Sequence, residues 1–232
     1  MNKKKNFFYD FKVVAKPWGN EYVVYRNSNK LSVTLLNIDY NKKTSLHCHP
    51  TKKTGFIVLS GKALIQLGLW KVTSKYFTAP TKLMIRTGLF HSIKAISKKG
   101  LCALEFETPV NKKDLVRFKD SYGREKKPYE GKEFTSKTSI NDVVFKKTKK
   151  KIVQKYIFDN KVELSMETHK NFRLLNKEKM QTIFAILDGQ VVDKQNRSVL
   201  SYGDIIETGT LKKLSEVFKI KKDLTLLKVK SI

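Results

Sequence analysis

Cysteine is almost missing from the chain. Cys48 and Cys102 are the only two in 232 residues, too few for a disulfide framework, so a reducing cytoplasm is the expected setting. No stretch approaches the roughly 18 consecutive apolar residues of a membrane-spanning helix. The basic start, Met1 to Lys5, leads into an apolar stretch that Asp10 and Lys12 interrupt before it reaches signal-peptide length. Acid is also scarce: 21 acidic against 48 basic side chains give a net charge of +27. That surplus invites a nucleic-acid reading, yet arginine, the residue that forks onto bases and phosphates, occurs only six times. The charge is also spread evenly, with 19 basic and 5 acidic residues in positions 1–110 and 29 and 16 in positions 111–232. A dispersed lysine excess reads as composition bias that still attracts anionic substrates. Neither a nucleic acid nor a membrane is expected as partner.

What is present is a globular composition, 40% hydrophobic and 30% charged, which argues against long disordered regions. Short β-rich runs punctuated by turn residues fill the first half: Glu21–Tyr25, Leu31–Asp39, Thr44–His49, Phe56–Ser60, Lys62–Leu67, Leu83–Arg86, His91–Ile96 and Leu101–Glu107. Such spacing indicates an all-β sandwich or barrel, with Gly61 and Gly88 as turn points. After Pro109 the texture changes. Asn111 is placed to cap a short helix through Asp114, Leu115 and Phe118, and Gly123, Pro128 and Gly131 then break the chain. The lysine run Lys146 to Lys151 reads as a solvated loop or strand edge.

The second half resumes strands and repeats the first in degraded form. Leu59-Ser60-Gly61-Lys62-Ala63 matches Leu187-Asp188-Gly189-Gln190-Val191, and Ile85-Arg86-Thr87-Gly88 matches Ile206-Glu207-Thr208-Gly209, in the same order. The expected organisation is residues 1–110 as one barrel, 111–150 as a connector with a short helix, and 151–232 as a second barrel packed on the first.

Three of the four histidines form a pattern. His47 and His49 alternate on one strand and so aim the same way, while His91 opens another strand just past Gly88. Imidazole is the commonest transition-metal ligand near neutral pH. His169 has no partner at any useful spacing. Projecting the repeat places Leu175, Lys177 and Lys212 where the first half has its histidines. None of them replaces an imidazole, since a lysine ammonium has no lone pair. Glu105 and Glu107 share one strand face, opposite Cys102, Leu104 and Phe106; if that face lines a cavity, Glu105 becomes a candidate base or a substitute metal carboxylate. Arg86, Lys94 and Lys53 lie near the histidines in sequence and are candidates for binding a phosphate or sugar acid. Trp18 reads as a plug of the barrel end, and Cys48 as a packing residue.

The stretch His47-x-His49, then Gly61, then Gly88-x-x-His91 resembles the paired motifs of the cupin superfamily, small antiparallel jelly-roll barrels that hold a metal. In cupins the first motif also supplies a Glu, here Thr54, and a proline precedes the second glycine, here Arg86. Lys16-Pro17-Trp18-Gly19 with Glu21 and Tyr22, and later Glu107-Thr108-Pro109, Asp114-Leu115-Val116-Arg117, Asp120 and Tyr122-Gly123-Arg124, resemble cupins related to type II mannose-6-phosphate isomerase. This resemblance covers about residues 16–131.

The resemblance implies two tandem cupin barrels joined by a short helical connector. It also implies one divalent transition metal, zinc foremost with iron, manganese or nickel as alternatives, held by His47, His49 and His91 in the first barrel only. The function it implies is a metal-dependent sugar or sugar-phosphate isomerase with Glu105 as base. A non-catalytic sugar or nucleotide-sugar binding cupin and a three-His iron dioxygenase are the competing readings. The expected partner is a small sugar or sugar phosphate, with a homodimer as a possible assembly.

Overall fold

A computed structural model describes residues 10–124, 132–146 and 153–232. The basic start, Pro128, Gly131 and residues 147–151 of the lysine run lie outside the described residues. The first half carries β1 (Lys12–Lys16), β2 (Gly19–Asn27), β3 (Leu31–Ile38), β4 (Leu46–Cys48), β5 (Lys53–Ser60), β6 (Lys62–Leu67), β7 (Ser74–Thr78), β8 (Thr81–Ile85), β9 (His91–Ala95), β10 (Leu101–Thr108), β11 (Val116–Lys119) and β12 (Thr135–Lys137). All eight strands read from the sequence are present. The polar strands β1 and β7 carry too little apolar alternation to have been seen.

These strands form two antiparallel sheets, one ordered β12-β1-β2-β3-β10-β5-β8 and the other β11-β4-β9-β6-β7. Their facing sides meet in a core of Trp18, Leu36, Phe56, Ile65, Ile85 and Ile93 with neighbours. Period-two alternation then fixes β10. Leu101 and Ala103 belong to this inner core while Cys102, Leu104 and Phe106 belong to another on the opposite side. Glu105 and Glu107 therefore continue the inner face toward the open end of the barrel.

The helix expected from Asn111 is absent. The Asn111 side chain accepts a hydrogen bond from the Lys113 amide in a tight turn, and the chain then runs extended to pair with β4 at Val116 and Cys48. An unpaired strand edge and a side chain that competes for local amides outweigh the weak helix signal.

The second half carries β13 (Gln154–Phe158), β14 (Val162–His169), β15 (Ile183–Val192), β16 (Ser198–Leu200), β17 (Ile205–Glu207), helix α1 (Thr208–Ser215) and β18 (Lys219–Ser231). The strands make one sheet, β13-β14-β18-β15-β16, with β17 also on β15. One face packs Val162, Leu164, Ile183, Ala185, Leu227 and Val229 into the same core as Val33, Ile57, Leu104 and Phe106 of the first half. The other face is covered by α1 and the 3-10 turn Leu175–Lys177, which bury Phe172, Leu175 and Leu211 on Phe184 and Ile186. Polar contacts also cross between the halves: Asn27 Nδ2 donates to the Leu187 carbonyl at 3.0 Å, and Lys53 pairs with Asp204 at 2.6 Å. Among the described residues no helix is long and apolar enough to cross a membrane.

Candidate metal centre

The three histidines converge. His47 on β4 stands opposite His91 on β9 in the strand register, and His49 follows one residue past β4 on the same side. Ring centroids lie 5.0 Å (His47–His49), 4.6 Å (His47–His91) and 5.4 Å (His49–His91) apart. One ligand atom from each falls within 4.8 Å of the others. Local bonds hold this arrangement. The Gly88 amide donates to the His49 carbonyl at 2.8 Å, and the Asp114 carboxylate accepts from the Thr51 and Lys52 amides. Asp114, read from sequence as part of a helix, thus clamps the loop that leads out of the histidine strand.

Each imidazole has its Nδ1 against a backbone carbonyl: His47 to Ser45 at 2.9 Å, His49 to Asp114 at 2.6 Å, His91 to Leu89 at 3.0 Å. A carbonyl only accepts, so Nδ1 carries the proton and Nε2 keeps its lone pair. Nε2 of His49 and of His91 is buried with no hydrogen-bond partner. Burial, with the neighbouring His91, holds the His47 imidazolium well below the usual range; burial also lowers His91, to about 4, and His49. All three are neutral at pH 7. Buried, neutral nitrogens with their outer positions fixed by carbonyls are the donor set that a transition metal requires, and unsatisfied buried nitrogens are costly without one. The buried three-His group can hold a metal ion.

His47 and His49 open on a cavity of about 110 Å³ whose wall also includes Lys52, Glu105 and Glu107. Lys16, Glu21, Thr44, Ser45, Lys112, Arg117 and Arg124 complete its polar lining, and Trp18 contributes to its apolar part. Trp18 is thus a core residue at the cavity wall. Lys52 is almost fully buried and its ammonium pairs with Glu107, which Lys112 also approaches at 3.5 Å. Burial, together with the neighbouring Glu107 and Glu21, pushes the Glu105 carboxyl well above the usual carboxylate range. Against the same pull of burial, Lys112 and Lys52 hold Glu107 down and ionised.

The sequence-selected residues separate here. His47, His49, His91 and Glu105 come together. Arg86 is exposed, Lys94 lies on β9 beside Leu64, and Lys53 is engaged with Asp204; none of these three lines the cavity. Lys16, Lys52, Lys112 and Arg117 take that place instead. Arg117 stands directly opposite His47 in the β11–β4 register, a pairing that the expected helix concealed. Cys48 points away from the ligands and is buried, and both cysteines are free. His169 lies in the second half, with Nε2 at 3.2 Å from Glu167.

Residues 3–120 match the family described as Mannose-6-phosphate isomerase C-terminal. No curated protein matches the chain. Among solved structures, the capsular polysaccharide assembling protein CapF from Staphylococcus aureus is 16% identical, with a TM-score of 0.42 over 47% of this chain and 34% of its own. The chain thus spans about a third of that protein's length. An uncharacterized conserved protein with a double-stranded beta-helix domain from Klebsiella pneumoniae is 16% identical, with a TM-score of 0.39 over 43% of this chain and 79% of its own. KdgF from a Halomonas species is 14% identical, with a TM-score of 0.37 over 42% and 86%.

Proposed function

The chain belongs to the mannose-6-phosphate isomerase C-terminal family, and on that premise we propose that it is a metal-dependent isomerase of a sugar or sugar phosphate. The observation that carries this reading is the buried three-imidazole group, two of whose members, His47 and His49, line the same small cavity as Glu105. Nε2 of His47, His49 and His91 would hold one divalent ion, zinc first among the candidates. When bound, such an ion supplies Lewis acidity toward a carbonyl or adjacent hydroxyl of the sugar.

The protein's own groups do the rest. Glu105 moves the proton between C1 and C2, and its raised carboxyl suits a group that must take a proton and return it within one turnover. Lys16, Lys112 and Arg117 attract the anionic end of the substrate and orient it toward the triad. Trp18 and Phe56 close the apolar side of the cavity and limit water there. A cavity of about 110 Å³ suits the reacting end of a small sugar better than a nucleotide. In this reading residues 1–110 carry the metal ligands, 111–150 connect and lend Lys112 and Arg117 to the cavity, 151–232 form a metal-free half, and the protein works in the cytoplasm.

Screening aldose and ketose phosphates and sugar acids with Zn²⁺, Mn²⁺, Fe²⁺ or Ni²⁺ is the test. Interconversion that disappears in Glu105→Gln with metal still bound is the expected result. Tight sugar binding without turnover would replace this reading with a non-catalytic binding protein, and oxygen consumption with Fe²⁺ would replace it with a dioxygenase.

A further inference from the structure

Three neutral imidazoles leave a divalent cation without charge compensation, and a buried site with an uncompensated cation is expensive. Of the two carboxylates that share this strand face, Glu107 is the one held ionised, by ion pairs with Lys52 and Lys112, whereas burial and its acidic neighbours raise the Glu105 carboxyl. Three observations place Glu107 at the site. In the β5–β10 ladder it stands directly opposite Thr54, and it lines the same cavity as His47 and His49. Directly opposed residues in an antiparallel pair share a face, with Cβ atoms about 5 Å apart. Thr54 itself is buried, and its hydroxyl has no hydrogen-bond partner. Lys52, two residues before Thr54 and nearly solvent-free, bonds Glu107 Oε1 and fixes where the carboxylate lies.

We propose that Glu107 is the carboxylate of the three-imidazole site, set beside it across the ladder from Thr54 and held in place by Lys52. The inference rests on the metal reading above. It assigns Glu107 to cation affinity, leaving Glu105 for proton transfer, and it makes positions 54 and 107 interchangeable seats for one negative charge.

Metal affinity, with no substrate present, tests this. Zn²⁺ affinity is read by competition with a chromophoric chelator, and site occupancy by the visible absorption of bound Co²⁺, with folding checked by circular dichroism. Glu107→Gln should weaken Zn²⁺ binding at least tenfold, whereas Glu105→Gln should change it less than threefold. Because Glu107→Gln strands a buried ammonium, the pair Lys52→Met/Glu107→Gln removes both charges and should still bind at least tenfold more weakly than the wild type. Thr54→Glu/Glu107→Gln should recover affinity to within threefold of the wild type and restore the Co²⁺ spectrum. Wild-type affinity in the Lys52→Met/Glu107→Gln protein, or equal losses in Glu105→Gln and Glu107→Gln, would overturn the assignment while leaving the triad intact. A wild-type chain that binds neither ion would overturn the metal reading and this inference together.

Discussion

The two halves share a sequence repeat but diverge at one point, and that point decides which of them carries a site. In the first half Ile85 ends β8, Gly88 turns at φ 73°, and the chain enters β9 with His91 as its first residue. In the second half Ile206 lies in β17, the counterpart of β8, but Gly209 has joined helix α1. A helix therefore stands where the third histidine strand would be. The positions matching His47 and His49 are Leu175 and Lys177, folded into a 3-10 turn that packs on that helix. Asn176 bonds Ser215 at 2.9 Å and ties the two together. The second half has filled with apolar side chains the space that the first keeps as a cavity.

The largest expected effect is at the ligands. His47→Ala/His49→Ala should take bound metal from one ion per chain to none by elemental analysis, whereas His169→Ala should leave it unchanged, since His169 belongs to the ion-pair cluster of the half without the triad. Two ions per chain, or one that survives the double replacement, would break the contrast between the halves.

Much of that contrast was legible in the sequence. His47 and His49 share a face by strand alternation alone, and Gly61 and Gly88 marked turns that require positive φ. The projection of the repeat onto Leu175, Lys177 and Lys212 pointed to the half in which no three-histidine group recurs among the described residues. Nearness in sequence misled for the cationic residues: Arg86, Lys94 and Lys53 flank the histidines along the chain, but Lys16, Lys112 and Arg117 line the cavity although they lie far from the histidines along the chain, Arg117 through the β11–β4 pairing opposite His47. Helix α1 was hidden because Thr208-Gly209 copied the Thr87-Gly88 turn, and a glycine marks a turn only when its neighbours do not complete a helical stripe. Leu211 and Leu214 complete one here, against Phe184 and its neighbours.

The next effect concerns what the halves share. Phe106 is buried in the core formed by β10 and the sheet of the second half. Phe106→Ala should cost about 3–5 kcal/mol and lower the Tm of both halves together, because the lost contacts belong to both. Two separate transitions by calorimetry would show that the halves unfold independently.

Acid should act on both halves, through Glu107 in the first and Glu167 in the second. Against burial, bonds from His169, Lys228 and Ser165 hold the Glu167 carboxyl at about 2, below its ordinary 4.5. A depressed folded value means that the stabilisation is complete above pH 4.5 and is lost as pH falls toward 2, at most about 3 kcal/mol. Glu167→Gln should flatten the stability profile between those limits in urea melts. An unchanged slope would assign acid sensitivity to other carboxylates.

The smallest effects have opposite signs at matched positions of the repeat. Gly88 sits at φ 73° with nothing near the site of an added Cβ, so Gly88→Ala meets only the left-handed backbone penalty, about 1–2 kcal/mol. Gly209 has helical backbone in α1, and a Cβ there would meet the Met180 Cε at 3.1 Å, the far end of an exposed, flexible side chain that can shift. Alanine removes backbone entropy from the unfolded chain and suits a helix, so Gly209→Ala should stabilise by about 0.5 kcal/mol. One methyl group, added at two positions that the sequence presents as equivalent, should lower the urea midpoint of the protein when placed at Gly88 and raise it when placed at Gly209. Destabilisation at both positions would mean that Gly209 is held in a turn like Gly88, and the helix would no longer account for the missing third ligand.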